Sequence, residues 1–220
     1  MQLIDRIYET NKVEAADGSL HDAFPEAVPK SHARDIARLV RELGLVRTLE
    51  TGMAYGLSTL AICGVHEERD EGEHIAIDPH QSSDWQGIGR LNLERAGLAH
   101  RARVIEARSD EALPRLRDEG VRIDFALIDG LHLFDAALVD FFHADRMLEP
   151  GGVVVFHDTW MPAIAQAAEF VRTNRAYETL TAGDPAMLAL RKAADDDRPW
   201  DFHRDFGIAR PRRRTLRRRP

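Results

Sequence analysis

The sequence predicts a doubly wound α/β domain: a seven-stranded, mostly parallel sheet with helices on both faces and a last strand that runs antiparallel. Three observations carry that expectation. From Val46 onward, short β-rich runs alternate with longer stretches of helical periodicity. The runs Ile123–Ile128 and Val153–Phe156 are almost wholly apolar, as strands covered on both faces are. Polar or charged residues close successive runs: Glu50, Asp78, Asp129 and the pair His157-Asp158.

Taken in order, the first strand is expected over Val46–Thr51, leaving a turn at Gly44, and Leu57, Leu60, Ala61 and Val65 then recur at helical spacing. His74–Asp78 is the second strand, stopped by Pro79. A helix from about Asp84 to Ala96 is closed by Gly97. Ala102–Glu106 is the third strand. Ser109 is placed to cap the next helix, with Asp110 and Glu111 in its first turn, where the helix dipole favours acids. The fourth strand, Ile123–Ile128, leads into a helix from about Leu133 to Met147, ended by Pro150-Gly151-Gly152 before the fifth strand. Pro162 suits the first turn of a helix running to about Arg172. Tyr177–Leu180 and Ala186–Arg191, joined through Gly183-Asp184-Pro185, read as a hairpin, which sets the last strand antiparallel. The chain thus divides into an N-terminal helical or lid segment (1–45, with Gln2–Phe24 as a helix plus loop), the sheet domain (46–193) and a C-terminal extension (194–220).

At 220 residues, with 44% hydrophobic and 30% charged side chains, the chain reads as one globular domain with a continuous core. The longest apolar runs, such as Gly151–Phe156, are too short to span a bilayer, and Met1–Arg6 lacks the basic-then-apolar pattern of a secretory signal. A single cysteine, Cys63, excludes an internal disulfide framework and fits a reducing, cytoplasmic setting. Net charge is −7, but seven arginines crowd into Arg210–Pro220 and leave the body strongly acidic. An acidic body is a poor platform for nucleic acid, and the basic end is expected to be solvated and mobile.

In doubly wound sheets, ligands bind beyond the carboxyl ends of the strands, where strand order reverses. Glu50 to Ser58 joins the first strand to the first helix, and Gly52 and Gly56 let the backbone turn tightly under a ligand. The spacing is Gly-x-x-x-Gly, with an acid two residues before the first glycine, rather than the three-glycine pyrophosphate fingerprint. An acid suits an ammonium-bearing ligand better than a diphosphate. S-adenosylmethionine has an amino acid end, a sulfonium and no phosphate. Asp78 stands where both ribose hydroxyls can be bound, a device nicotinamide enzymes share. A strand–helix turn with no ligand is the bland alternative for the glycines.

These segments resemble the class I S-adenosylmethionine-dependent methyltransferases, Rossmann-like in fold, and most closely the small-molecule O-methyltransferase group called methyltransferase family 24. The resemblance rests on Leu49-Glu50-Thr51-Gly52 with Gly56-Leu57-Ser58, Ala76-Ile77-Asp78-Pro79-His80, Ser109-Asp110-Glu111-Ala112-Leu113, Asp124 through Asp129-Gly130-Leu131-His132, and Leu148-Glu149-Pro150-Gly151-Gly152 through His157-Asp158. It implies a donor pocket of Glu50, Gly52, Met53, Gly56, Ser58, Asp78, Pro79, Ser109 and Asp129, with Glu50 and Gly52 at the amino acid end, Asp78 at the ribose and Ser109 near the adenine. Ala107-Arg108 stands where the family commonly has Gly-Asp.

Asp129 and His157-Asp158 end neighbouring strands, so their side chains can converge on one small cation, Mg²⁺ or Mn²⁺, that would hold an acceptor oxygen near the donor methyl. The resemblance implies a metal at these positions, although His157 replaces the family's first acid of the pair. The alternative is a carboxylate that orders its own loop. His132, three residues past Asp129, titrates near neutral pH and is the first choice for a catalytic base, with Asp129 beside it; a structural histidine at a helix start is the competing reading. The expected partner is a small-molecule acceptor, with no membrane or nucleic acid, and a homo-oligomer is left open. The readings weighed against methyl transfer are a nicotinamide-dependent dehydrogenase, a nucleic-acid methyltransferase using the basic end, and a non-catalytic sensor of the donor.

Overall fold

A computed structural model describes residues 3–207; the arginine-rich end, for which mobility is expected, lies outside the described residues. The N-terminal segment holds α1 (Leu3–Thr10), a small hairpin of β1 (Lys12–Glu14) and β2 (Leu20–Asp22), and α2 (Lys30–Glu42). The sheet domain follows with β3 (Arg47–Thr51), α3 (Leu57–Glu68), β4 (Glu73–Ile77), α4 (Ile88–Arg95), β5 (Ala102–Ile105), α5 (Ser109–Asp118), β6 (Ile123–Ile128), α6 (Phe134–Met147), β7 (Leu148–Phe156), α7 (Pro162–Asn174), β8 (Tyr177–Leu180) and β9 (Leu188–Lys192).

The seven-stranded sheet has the order β5-β4-β3-β6-β7-β9-β8. β3 pairs in parallel with both β4 and β6, and β6 with β7, whereas β9 is antiparallel to β7 and to β8. The last strand therefore runs antiparallel, as the hairpin signal predicts. After β3 the chain builds outward to β4 and β5, then returns to lay β6 on the other side of β3, so strand order reverses between β3 and β6.

Strand residues divide between the two faces with period two. Leu49, Ile75, Ala126, Val154 and Phe156 pack with Leu113, Phe141, Met147, Ile164 and Val171 from α5, α6 and α7. Phe125, Leu127, Val153 and Val155 face Ile36, Leu39 and Val40 of α2 and Ile62 and Val65 of α3. The second helix of the N-terminal segment thus covers the sheet beside β6 and β7. No helix among the described residues is long and apolar enough to cross a membrane.

Four local expectations are corrected. The expected loop after α1 contains the hairpin β1–β2, whose ends meet with Ala15 N–H on the Ser19 carbonyl at 2.9 Å. The helix expected from Asp84 starts only at Ile88, because Gln86 and Gly87 have φ of 51° and 71°, which no right-handed helix contains. Ser109 does not cap α5 but is its first residue, and the Arg108 before it makes no side-chain cap. The fifth strand begins at Leu148, directly after α6, and carries Pro150-Gly151-Gly152 through a register shift against β6.

Candidate active site

The tips of β3, β4, β6 and β7 form the crevice. On the β3 side, Glu50 is wholly buried: Oε1 accepts from the Thr59 hydroxyl and lies 3.2 Å from His74 Nε2, while Oε2 has no partner among the described residues. Gly52 has φ of +85°, and its N–H donates to the Ile77 carbonyl at 2.9 Å. A Cβ there would overlap the Asp129 carbonyl oxygen and stand 2.7 Å from its carbon. Only glycine lets the loop after β3 pass this close to the tip of β6. Ala54 and Gly56 also have positive φ, and Gly56 opens α3.

Asp78 pins this loop. Its Oδ2 accepts from the N–H groups of Met53 (3.0 Å) and Ala54 (2.8 Å), and Oδ1 from that of His80 (2.8 Å). The Met53 side chain is buried with Leu60, Cys63 and Leu93, Ser58 is buried in the first turn of α3, and Pro79 is exposed. Ser109 faces a residue that sequence reasoning missed, Asp140 of α6. Burial raises the Asp140 pKa, and the hydroxyls of Ser109 and Thr51 pull it the other way.

Across the crevice, Asp129, His132 and Asp158 each offer a ligand atom, all within 4.8 Å of one another. His132 Nε2 lies 3.0 Å from Asp158 Oδ2 and 3.6 Å from Asp129 Oδ1, yet it is buried with neither aligned as a hydrogen-bond acceptor. Asp129 and then Asp158 hold the imidazolium, raising His132 to about 9 against the cost of burial. Asp158 adopts φ of 57°, rare for a residue with a Cβ, and accepts from Trp160 Nε1 at 2.8 Å. Burial would raise the Asp158 pKa, but contacts with His132 and His157 carry it far below the usual carboxylate range.

His157 is set one step back from the place expected of it. Its Nδ1 lies 2.9 Å from Asp129 Oδ1 and 3.4 Å from Asp158 Oδ2, and its Nε2 is 2.8 Å from His32 Nδ1. Burial disfavours its charge, but the two carboxylates outweigh that and raise it to about 10. With both ring nitrogens engaged, His157 has no lone pair aimed into the crevice, and His132 takes its place in the converging set. The structure thus brings Glu50, Gly52, Asp78, Asp129, His132 and Asp158 together at neighbouring tips. The backbone of Met53, not its side chain, takes part. His32, on α2, carries no motif that could have announced it.

Residues 49–159 match the family described as "Methyltransferase domain". The chain belongs to that methyltransferase family. A putative O-methyltransferase of Mycolicibacterium vanbaalenii is 30% identical over 200 residues, covering 87% of this chain and 78% of that protein. Tricin synthase 1 of Oryza sativa subsp. japonica is 31% identical over 142 residues, 60% of this chain and 53% of the rice protein, so the methyltransferase-family chain spans about half the length of that relative. Among solved structures, the O-methyltransferase TomG of Streptomyces achromogenes, in complex with SAM, superposes with a TM-score of 0.67 at 19% identity, over 77% of this chain and 82% of that one. An O-methyltransferase of Bacillus cereus in complex with SAH gives 0.66 at 20% identity, over 86% and 90%. At these identities the likeness extends to the fold.

Proposed function

We propose that the chain transfers a methyl group from S-adenosylmethionine to a hydroxyl oxygen of a small molecule, assisted by a divalent cation at Asp129, His132 and Asp158. One observation carries the reading: the glycine loop after β3 and the Asp129–His132–Asp158 cluster meet across the reversal of strand order, with Gly52 packed against the Asp129 backbone. Family membership and the names of the relatives support the chemistry. When bound, S-adenosylmethionine would supply an electrophilic methyl: the acceptor O–CH₃ bond would form as the S–CH₃ bond breaks to leave the neutral thioether, and the hydroxyl proton would pass to bulk water.

On the donor side, the unpartnered Oε2 of Glu50 is an acceptor that an ammonium group can satisfy, and a buried carboxylate oxygen without a partner is costly. Gly52 gives close backbone approach, Asp78 offers its remaining lone pair to the ribose, and Ser109 with Asp140 borders the adenine side. On the acceptor side, two carboxylates and an imidazole form an oxygen-rich donor set suited to Mg²⁺ or Mn²⁺. His132 begins protonated at neutral pH when only the carboxylates face it. A base needs a free lone pair, so a cation taking that proton's electrostatic place is favoured over His132 acting alone. The two-glycine loop beside a buried acid offers little to a nicotinamide dinucleotide.

Calorimetric titration of the full chain tests the reading. S-adenosylhomocysteine should bind with micromolar affinity and NADH should give no heat; heat with NADH and none with the nucleoside would overturn it.

A further inference from the structure

His32 lies near the start of α2, buried against the tip of β7. Its ring meets that of His157 edge-on, centroids 4.9 Å apart and planes at 70°, with His32 Nδ1 2.8 Å from His157 Nε2. On its far side, His32 Nε2 is 3.3 Å from Asp184 Oδ2, in the turn between β8 and β9. On the near side, His157 Nδ1 is 2.9 Å from Asp129 Oδ1. Side chains from four separated parts of the chain thus form one line: Asp184, His32, His157, Asp129.

Both ends of the line are carboxylates, which only accept. His157 must therefore present N–H at Nδ1, while His32 Nε2 faces the Asp184 carboxylate at 3.3 Å. The inner contact needs one more hydrogen between the two rings. Hydrogens at these two contacts fix the ring orientation of His157, because a flip would set a C–H against the Asp129 carboxylate. The outer end is anchored as well. Asp184 N–H donates to Asp35 Oδ2 of α2 at 3.0 Å, and Asp184 Oδ1 accepts from Ala186 N–H at 2.9 Å. The Asp35 carboxylate fills the space a Cβ on Gly183 would need, so the turn and α2 are fitted to each other.

We propose that His32 is a positioning residue for the acceptor side. Through His157 it fixes the side-chain orientation of Asp129, and Asp184 holds His32 in turn. The inference rests on the cation-assisted reading of Asp129 above. Groups that orient a metal-binding side chain typically matter 10–100-fold in metal affinity or activity. Removing His32 should therefore damage the acceptor side and spare the donor loop, which it does not touch.

The test compares the full-length wild type with His32→Leu and His32→Asn, whose amide nitrogen can donate from near the position of Nδ1. Three quantities are read: Mn²⁺ affinity, S-adenosylhomocysteine affinity, and the ¹⁵N–¹H signals of labelled histidines. In His32→Leu, Mn²⁺ should bind about 10–100-fold more weakly, S-adenosylhomocysteine should stay within about twofold, and the Nδ1–H signature of His157 should be lost. His32→Asn should recover most of the Mn²⁺ affinity and of the ring signature. Unchanged Mn²⁺ affinity in His32→Leu overturns the proposal, as does a parallel loss of both ligands that His32→Asn does not relieve. Should the wild type take up no Mn²⁺, the cation reading fails separately. The His157 signals then decide the positioning role, and an unaltered ring in His32→Leu overturns it.

Discussion

Replacing Gly52 with alanine perturbs the point on which the crevice is built. Two costs add. Gly52 holds φ of +85°, a left-handed conformation that costs a residue with a Cβ about 1–2 kcal/mol. The new methyl would also overlap the Asp129 carbonyl and stand 3.0 Å from Gly130 Cα. Those atoms are all backbone, so no side chain can rotate aside. Relief requires the tips of β3 and β6 to part, straining the bonds from Gly52 N–H to Ile77 O and from Asp129 N–H to Thr51 O. Overpacking of this kind costs about 1–3 kcal/mol, giving about 2–5 kcal/mol in all, a large part of a domain's usual stability. Gly97→Ala is the control, since Gly97 has φ of +73° with nothing within 4 Å of its notional Cβ. Urea unfolding of both variants isolates the steric share, and titration with S-adenosylhomocysteine reads its effect on the donor loop. If Gly52→Ala unfolds within about 0.5 kcal/mol of Gly97→Ala and binds the nucleoside normally, the close approach of the two tips is wrong.

Three further outcomes are expected. Mn²⁺ at about 100 times its dissociation constant should stabilise the wild type by about 2.7 kcal/mol and leave Asp158→Asn almost unmoved; equal stabilisation of both would remove the cation site. Without added metal, methylation of a catechol probe should rise about tenfold per pH unit toward pH 9, since the carboxylates of Asp129 and Asp158 hold the proton that a base must lose. A flat profile from pH 7 to 9 would dismiss His132 as that base. Near the starts of β3 and β4, where His66 meets the Thr48 hydroxyl, burial lowers the pKa of His66 from 6.5 to about 4, so the unfolded chain binds the extra proton between those values. Stability present above pH 6.5 should therefore fall by about 3 kcal/mol as pH drops to 4, and His66→Gln should flatten the pH dependence of the urea midpoint; an unchanged slope refutes the assignment.

The sheet was legible because its strands are buried on both faces. Ile123–Ile128 and Val153–Phe156 have no polar alternation that would allow a solvated face. The hairpin β1–β2 leaves little trace in the sequence although Asp17-Gly18, a hairpin turn dipeptide, sits between its strands, because each strand is only three residues long and only Val13 is buried in them. The late start of α4 has a conformational cause. Gln86 takes a positive φ that its side chain does not advertise, and the adjoining Gly87, also at positive φ, turns its N–H back to the Gln81 carbonyl. His32 was invisible for another reason: its partner His157 is 125 residues away, and nothing local distinguishes a histidine on a helix that covers the sheet from one that reaches past its edge.

Acids at the strand tips were readable as acids, but what each one does depends on which of its oxygens the protein already uses. Asp78 illustrates the difference. A carboxylate has about four acceptor sites, and three backbone N–H groups, those of Met53, Ala54 and His80, already occupy Asp78. Its first task is to shape the glycine loop, and only what remains is open to a ribose. Glu50 divides the other way, with Oε1 committed to Thr59 and His74 and Oε2 unpartnered. At Asp129, His157 engages Oδ1 while the same carboxylate faces His132 and Asp158. In each case the protein spends part of the carboxylate on holding its own backbone or a neighbouring ring, and that commitment orients the part left for a ligand. The division follows from contacts between strands and helices that the order of residues along any one segment does not encode.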